Sequence, residues 1–408
     1  MVCELVYMRK RIIILLVLLV AVAGVWLAVD RFALFQDRVA PGEKISLDES
    51  ANSSVATDTE QRPETVPYEI EEVVGGLAVP WSMAFSSSER ILVTERPGRI
   101  RVIEAGKLLT QPLHTFSEVA TGGEEGLMSL ALHPQYAENR LVYASLAYET
   151  GQDMFVKVVR FEDKGDAIGD VTIIIDRIPA AQFHAGCRIA FGPDGKLYIT
   201  TGDATEKNLA QDLGSLAGKI LRVNADGSIP EDNPFPGSAV WSYGHRNPQG
   251  IDWHPVSGEF YSTEHGPSTF DGPAGGDEVN RIVKGANYGW PLISHEETRE
   301  GTVAPLLVFT PAEAPGSALV YSGAVFPQFQ NNLFFGALKG EGLMRVVISA
   351  ENPDTVLSYE KLGDVNFGRI RDVAEGPDGY IYFSTSNRDG RGDPDAADDR
   401  VFRMRPKR

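Results

Sequence analysis

Arg188-Ile-Ala-Phe-Gly-Pro-Asp-Gly-Lys-Leu-Tyr-Ile-Thr-Thr-Gly-Asp203 and Asp372-Val-Ala-Glu-Gly-Pro-Asp-Gly-Tyr-Ile-Tyr-Phe-Ser-Thr-Ser386 are two copies of one phrase. Each is a short apolar strand, a Gly-Pro-Asp-Gly turn and a second strand rich in aromatic and β-branched residues, so each is a hairpin with its turn chemistry built in. Looser copies begin near Ser82, Ser129, Gly250 and Ser322. Six copies at intervals of about 45 to 75 residues suit four-stranded blades joined by variable loops. No amphipathic run of convincing helical length intervenes. The chain therefore reads as all-β, a six-bladed β-propeller over 68–408. Two stacked β-sandwiches are the alternative, but they need no hairpin phrase at regular intervals.

Working outward, 43% hydrophobic and 23% charged residues among 408 describe a globular body rather than a disordered or polytopic chain. With 38 basic against 56 acidic residues, a formal charge of -18, a broad phosphate-binding surface is excluded, and nucleic acid with it. Two cysteines, Cys3 and Cys187, make neither a disulfide framework nor a thiolate zinc site. Ahead of the body, Met8-Arg-Lys-Arg11 precedes an unbroken apolar run, Ile12 to Val29. As a helix that run spans ~27 Å at 1.5 Å per residue, nearly a bilayer. It serves as a membrane anchor or, cut after Ala21-Val22-Ala23, as a signal peptide. Either way the positive flank stays in the cytoplasm and the body is exported to the periplasm or another extracytoplasmic space. Residues 1–40 form this signal or anchor region. Residues 41–67, rich in Ser, Thr, Glu, Asp and Pro, form a flexible tether.

Blade loops of a propeller converge on one central pocket, so the polar segments at strand ends are the candidate site. His184, just ahead of a blade strand, offers an imidazole able to act as a general base, or is a His hydrogen-bonded at a blade seam. Gly244-His-Arg-Asn-Pro-Gln-Gly250 sets Arg246 beside Asn247, a cation and an amide donor suited to carbonyl or carboxylate oxygens. Lys339, and Arg369 with Arg371 on one face of a strand, suggest an anionic ligand or, failing that, a solvated strand edge. Glu264-His-Gly-Pro267, Gly276-Asp-Glu-Val-Asn280 and Asn287-Tyr-Gly-Trp-Pro291 combine turn carbonyls with carboxylates, the oxygen chemistry of Ca²⁺. Gly214-Ser-Leu-Ala-Gly-Lys-Ile220 imitates a phosphate loop but is one residue short and lacks the hydroxyl after its Lys. Arg391, in a Gly-rich loop near the C-terminus, reads as a surface charge.

In the order of Gly244–Gly250, Glu264–Pro267 with Asp277-Glu278, and Ile282-Val-Lys-Gly-Ala-Asn-Tyr-Gly-Trp-Pro291, the chain resembles the soluble quinoprotein glucose dehydrogenases and aldose sugar dehydrogenases, propeller enzymes that use pyrroloquinoline quinone (PQQ). The resemblance runs from about Pro67 to Arg405. It implies oxidation of an aldose at the anomeric carbon to a lactone, with an electron acceptor such as a quinone, cytochrome or dye. It further implies His184 as catalytic base, and Arg246 and Asn247 at the reactive quinone oxygens. Lys339, Arg369 and Arg371 become cationic PQQ contacts, and the carbonyls of Gly266 and Pro267 ligands of the activating Ca²⁺. Glu278 with the Tyr288 carbonyl matches a second, structural Ca²⁺ site. Two positions depart from the glucose enzyme: Glu124 replaces an amide that faces the cofactor, and Phe183 replaces an acid. A calcium-dependent lactonase and a non-catalytic sugar- or protein-binding propeller are the alternative readings.

Overall fold

Six antiparallel sheets form, and in five of them the hairpin phrase supplies the first two strands; in blade 5 the first strand is Leu319–Val320, just ahead of the expected start at Ser322, and residues 323–326 run as loop into the short 3-10 turn Pro327–Phe329. The computed structural model describes residues 65–407; the predicted anchor or signal segment and the tether as far as Glu64 lie outside the described residues. Blade 1 comprises Pro80–Ser87, Arg90–Glu95, Arg99–Glu104 and Lys107–Leu108, with His114–Thr115 added on its third strand. Blade 2 runs Leu127–Leu132, Leu141–Thr150, Asp153–Glu162, Thr172–Ala180, and blade 3 Ile189–Phe191, Leu197–Thr201, Lys219–Val223, Val240–Tyr243. Blade 4 takes Pro248–Trp253, Phe260–Glu264, Asp277–Arg281 and Leu307–Phe309; blade 5 takes Leu319–Val320, Leu333–Ala337, Gly342–Ile348 and Val356–Lys361. Blade 6 is built from both ends of the described chain: Ile370–Glu375, Ile381–Thr385, Val401–Pro406 and, outermost, Tyr68–Val74.

The first strands of successive blades touch in a closed ring, from blade 1 round to blade 6 and back. Between each neighbouring pair of blades lies one apolar cluster. Leu92 and Val142 share the seam of blades 1 and 2, Tyr143 and Ile199 that of 2 and 3, Tyr198 and Phe260 that of 3 and 4. Tyr261 with Phe335, Phe334 with Phe383, and Tyr382 with Val93 fill the other three. These side chains alternate along strands of period two, and each pair of faces buries what neither sheet could bury alone.

Near the axis one guanidinium reaches across the ring. Arg188, at the head of blade 3, pairs with Asp372 of blade 6 at 2.9 Å, donates to the carbonyls of Gln249 (3.0 Å) and Gly316 (2.9 Å), and lies over the Trp81 ring of blade 1. Removing either member of the Arg188–Asp372 pair would strand the other charge in the interior, a loss of about 3 to 5 kcal/mol. The ring is closed by the register Tyr68↔Pro406 to Val74↔Val401, with Arg405–Glu69 (2.6 Å) and Arg403–Glu71 (2.7 Å) ion pairs on its outer face. Val66 and Pro67, assigned from composition to the tether, are already fixed: Val66 exchanges hydrogen bonds with the Gln328 side chain, and Lys407 N–H donates to the Pro67 carbonyl.

Candidate active site

His184 sits in the loop entering blade 3 with φ of +56°, a left-handed conformation that a residue with a Cβ adopts rarely. The bend is possible because Gly202 directly follows the second strand of blade 3, Leu197–Thr201, and a Cβ there would lie 1.8 Å from the His184 carbonyl oxygen. The imidazole is buried and held at both nitrogens: Nδ1 to Asp203 Oδ1 at 2.7 Å, Nε2 to Arg246 Nη2 at 2.8 Å. A guanidinium only donates, so Nε2 accepts, and the ring proton lies on Nδ1, directed at Asp203. Asp203 is fixed in turn by the Trp290 indole N–H (2.8 Å) and the Thr205 backbone N–H (2.8 Å).

The Gly244–Gly250 segment owes its shape to Glu264, at the end of the second strand of blade 4. Its carboxylate accepts the backbone N–H groups of Arg246 and Asn247 and a bond from His245 Nδ1 at 2.9 Å. The Arg246 side chain then extends to Asp271 (2.8 Å), the His265 carbonyl (3.2 Å) and His184. Asn247 receives the Gly186 N–H at Oδ1, while its Nδ2 is buried without a partner.

His184, Arg246 and Asn247 line a cavity of about 490 Å³, and Glu124, Gly266, Pro267, Lys339, Arg369 and Arg371 line it with them. Arg369 is braced by Asp389 (2.7 Å) and the Leu338 carbonyl (2.6 Å). Among the described residues Arg371 hydrogen-bonds Gln249 Oε1 alone (2.6 Å) and lies over the Trp81 ring at 5.6 Å; its Nε is buried without a partner there, and burial pulls its pKa down to about 9. Lys339 is exposed at the rim and forms no ion pair among the described residues. For Glu124, burial acts to raise the pKa, but His265 and Arg391 outweigh it and hold the carboxyl down at about 2. It is a charged wall of the cavity, paired with Arg391 at 2.8 Å.

Arg391 is thus no bystander: the loop after Asn387 folds back over the cavity and seats Arg391 on its wall. Gln249 and His265, from the two polar segments already singled out, also line the cavity, as do Arg96 and Asp389, which were not legible in the sequence. Arg96 stands in Arg-Pro-Gly and Asp389 in an Asp-Gly turn, where turn chemistry conceals a charged side chain with an inward aim. Lys219 of the phosphate-loop imitation is buried, its ammonium held by the carbonyls of Leu209 (2.7 Å), Ala210 (3.1 Å) and Ala217 (2.6 Å), leaving it no phosphate to meet.

Gly266 and Pro267 lie where the main cavity adjoins a second, very small one that is lined by Glu264, Glu278 and Tyr288. Burial, and then the neighbouring Glu264, push the Glu278 carboxyl up to about 8. Among the described residues no three His, Cys, Asp or Glu side chains are grouped to hold a metal ion, so a cation here would depend on backbone carbonyls as well.

The glucose/sorbosone dehydrogenase family model matches residues 77–392. The chain is 34% identical over 353 residues to the aldose sugar dehydrogenase YliI of Escherichia coli, covering 80% of this chain and 92% of that one. It is 28% identical over 260 residues to the quinoprotein glucose dehydrogenase B of Acinetobacter calcoaceticus, covering 56% and 53%. The PQQ-bound form of the aldose sugar dehydrogenase from Streptomyces coelicolor superposes with a TM-score of 0.72 at 32% identity, covering 84% of this chain and 99% of that one.

Proposed function

The chain belongs to the glucose/sorbosone dehydrogenase family of oxidoreductases, and from that membership we propose that it oxidises an aldose at the anomeric carbon to the lactone, with PQQ and Ca²⁺ as cofactors. One observation carries the reading: a base fixed in one tautomer shares a cavity with a buried cation, Arg371, whose Nε has no hydrogen-bond partner. Arg96, Arg246, Lys339, Arg369, Arg371 and Arg391 face Glu124, Asp277, Glu341 and Asp389, an excess of positive charge inside an acidic protein. The buried Arg371 Nε and Asn247 Nδ2 need acceptors, and PQQ, with three carboxylates and quinone carbonyls, provides both kinds.

In this reading Arg369, Arg371 and Lys339 hold the carboxylates, Arg246 and Asn247 the quinone oxygens, and the carbonyls of Gly266 and Pro267 the activating Ca²⁺. Glu278 with the Tyr288 carbonyl serves a second Ca²⁺. Bound PQQ supplies the two-electron acceptor for the hydride that leaves the anomeric carbon. As Arg246 Nη2 turns from His184 to the quinone oxygens, His184 Nε2 is freed to take the proton of the anomeric hydroxyl, and Asp203 stabilises the imidazolium that forms, since it already accepts the Nδ1 proton. Arg246, held by Asp271, presents a positive charge beside that base and stabilises negative charge developing next to it. The electrons pass onward to a quinone, cytochrome or dye, and the charge order around Ile12–Val29 supports export of the body, tethered by that segment.

The test is reconstitution of the full chain with PQQ and Ca²⁺, followed by absorption spectroscopy and by dye reduction with a panel of aldoses. A bound-quinone spectrum that bleaches on sugar addition, with lactone formed, is expected. A bound-quinone spectrum without turnover on any aldose would leave a binding propeller instead, and no spectral change at all would overturn the cofactor as well.

A further inference from the structure

Two aromatic rings near His184 stand in water. Phe270 is 63% exposed and Phe183 40% exposed. Phe270 lies against the His184 imidazole with ring centroids 5.6 Å apart and planes 26° from parallel. Phe183, the residue before the base, has the Arg391 guanidinium over its ring at 5.6 Å. Arg391 is the same residue that pairs with Glu124, whose other oxygen accepts the His184 backbone N–H at 3.4 Å. Neither ring is needed by a blade seam, because both lie outside the six apolar clusters.

The Phe270 loop is not loose. Ser268 N–H donates to Asp271 Oδ1 at 2.7 Å, the N–H groups of Asp271 and Gly272 donate to the Ser268 carbonyl, and Asp271 Oδ2 receives Arg246 Nε. A ring held in water by a braced turn, parallel to the base, forfeits apolar burial until something covers it. A sugar ring has the complementary chemistry: a C–H face that stacks on an aromatic ring and hydroxyls at its rim that need charged or polar partners.

Resting on the aldose reading above, we propose that Phe270 and Phe183 are the stacking walls of the substrate subsite, and that the Glu124–Arg391 pair reads the hydroxyls of a neutral aldose ring between them. The carboxylate accepts from hydroxyls and the guanidinium donates to them, so one ion pair satisfies both senses of a vicinal diol.

The experiment compares Phe270→Ala, Phe270→Tyr and the wild-type chain, with Val256→Ala, an exposed residue in the blade 4 turn, as control. Two readouts are taken: KM and kcat for an aldose after loading with PQQ and Ca²⁺, and saturation-transfer NMR of methyl glucoside, which has no free anomeric hydroxyl to oxidise. Loss of one stacking wall is expected to raise KM by about 10-fold and weaken glycoside binding alike, with kcat changed less than about 3-fold. Phe270→Tyr restores both. Glycoside binding equal in Phe270→Ala and wild type, or absent from wild type, overturns the subsite. A fall in kcat at unchanged KM also overturns it, by making Phe270 a support for the base. If wild type binds glycoside through Phe270 yet oxidises no aldose, the subsite stands and the oxidation reading fails.

Discussion

A histidine can accept a substrate proton only at the nitrogen that does not already carry one. In this chain that nitrogen is Nε2, because Asp203 claims the Nδ1 proton and Arg246 donates to Nε2. His184→Ala is therefore expected to lower kcat by at least ~100-fold while the absorption of bound PQQ persists. Near-normal turnover would sink the assignment. Arg371 is a different case: it is a buried cation with an unused Nε, so truncation removes a charge-assisted contact. A loss of roughly 2 to 5 kcal/mol corresponds to PQQ affinity weaker by at least ~30-fold for Arg371→Ala. Lys164→Ala, an exposed lysine in a blade 2 turn, is the control; equal small effects on the two would remove the anionic pocket. Arg391, a surface charge by its sequence context, cannot serve as that control, since it lines the same cavity.

At the scale of elements, the six hairpins were legible because everything that specifies them is local: alternating apolar residues, a turn of fixed composition and strands of period two. What joins one blade to the next was not. Asp252, on the first strand of blade 4, accepts the Val320 N–H of blade 5 at 2.7 Å, and Asp372 of blade 6 accepts that of Met83 in blade 1 at 2.8 Å. Such bonds cross tens to hundreds of residues, and no spacing rule announces them. Burial pushes Asp252 from its ordinary value near 3.8 up to about 7, and the nearby Glu375 adds to the rise. A carboxyl raised on folding takes up a proton, so the stability it contributes is complete below about pH 4 and is lost as pH rises through about 7. Urea titrations at those two pH values should show a smaller difference for Asp252→Asn than for wild type; an unchanged difference would place the proton elsewhere. The same locality explains the site. His184, Arg246 and the Arg369-x-Arg371 pair were legible beside strand ends, whereas Arg96 and Arg391 reach the cavity only through loops whose course the ring decides.

At the scale of the whole molecule, the propeller has no free end to its ring, because Tyr68–Val74 supplies the outer strand of the last blade. A chain beginning at Gly75 loses that strand, the Val74 contribution to the seam between blades 6 and 1, and the partners of Arg403 and Arg405. Its melting temperature should fall well below that of a chain beginning at Thr65, and PQQ binding should weaken with it because Arg369 and Arg371 stand on the same blade. Circular dichroism melts of the two, each with and without PQQ and Ca²⁺, test this. Equal melting temperatures would mean that the outer strand is decoration.

The closing strand pair also sets a clock on biosynthesis. Of the described body, Tyr68–Val74 is the first strand to leave the ribosome and its partner Val401–Pro406 the last. The first strand must wait, unpaired, through the synthesis of every other blade. No contact that needs the closed ring can form on the nascent chain before that wait is over. Full affinity for a small anionic cofactor thus belongs to the closed ring, and a chain stalled before Val401 should bind it more weakly than one whose end strands have paired.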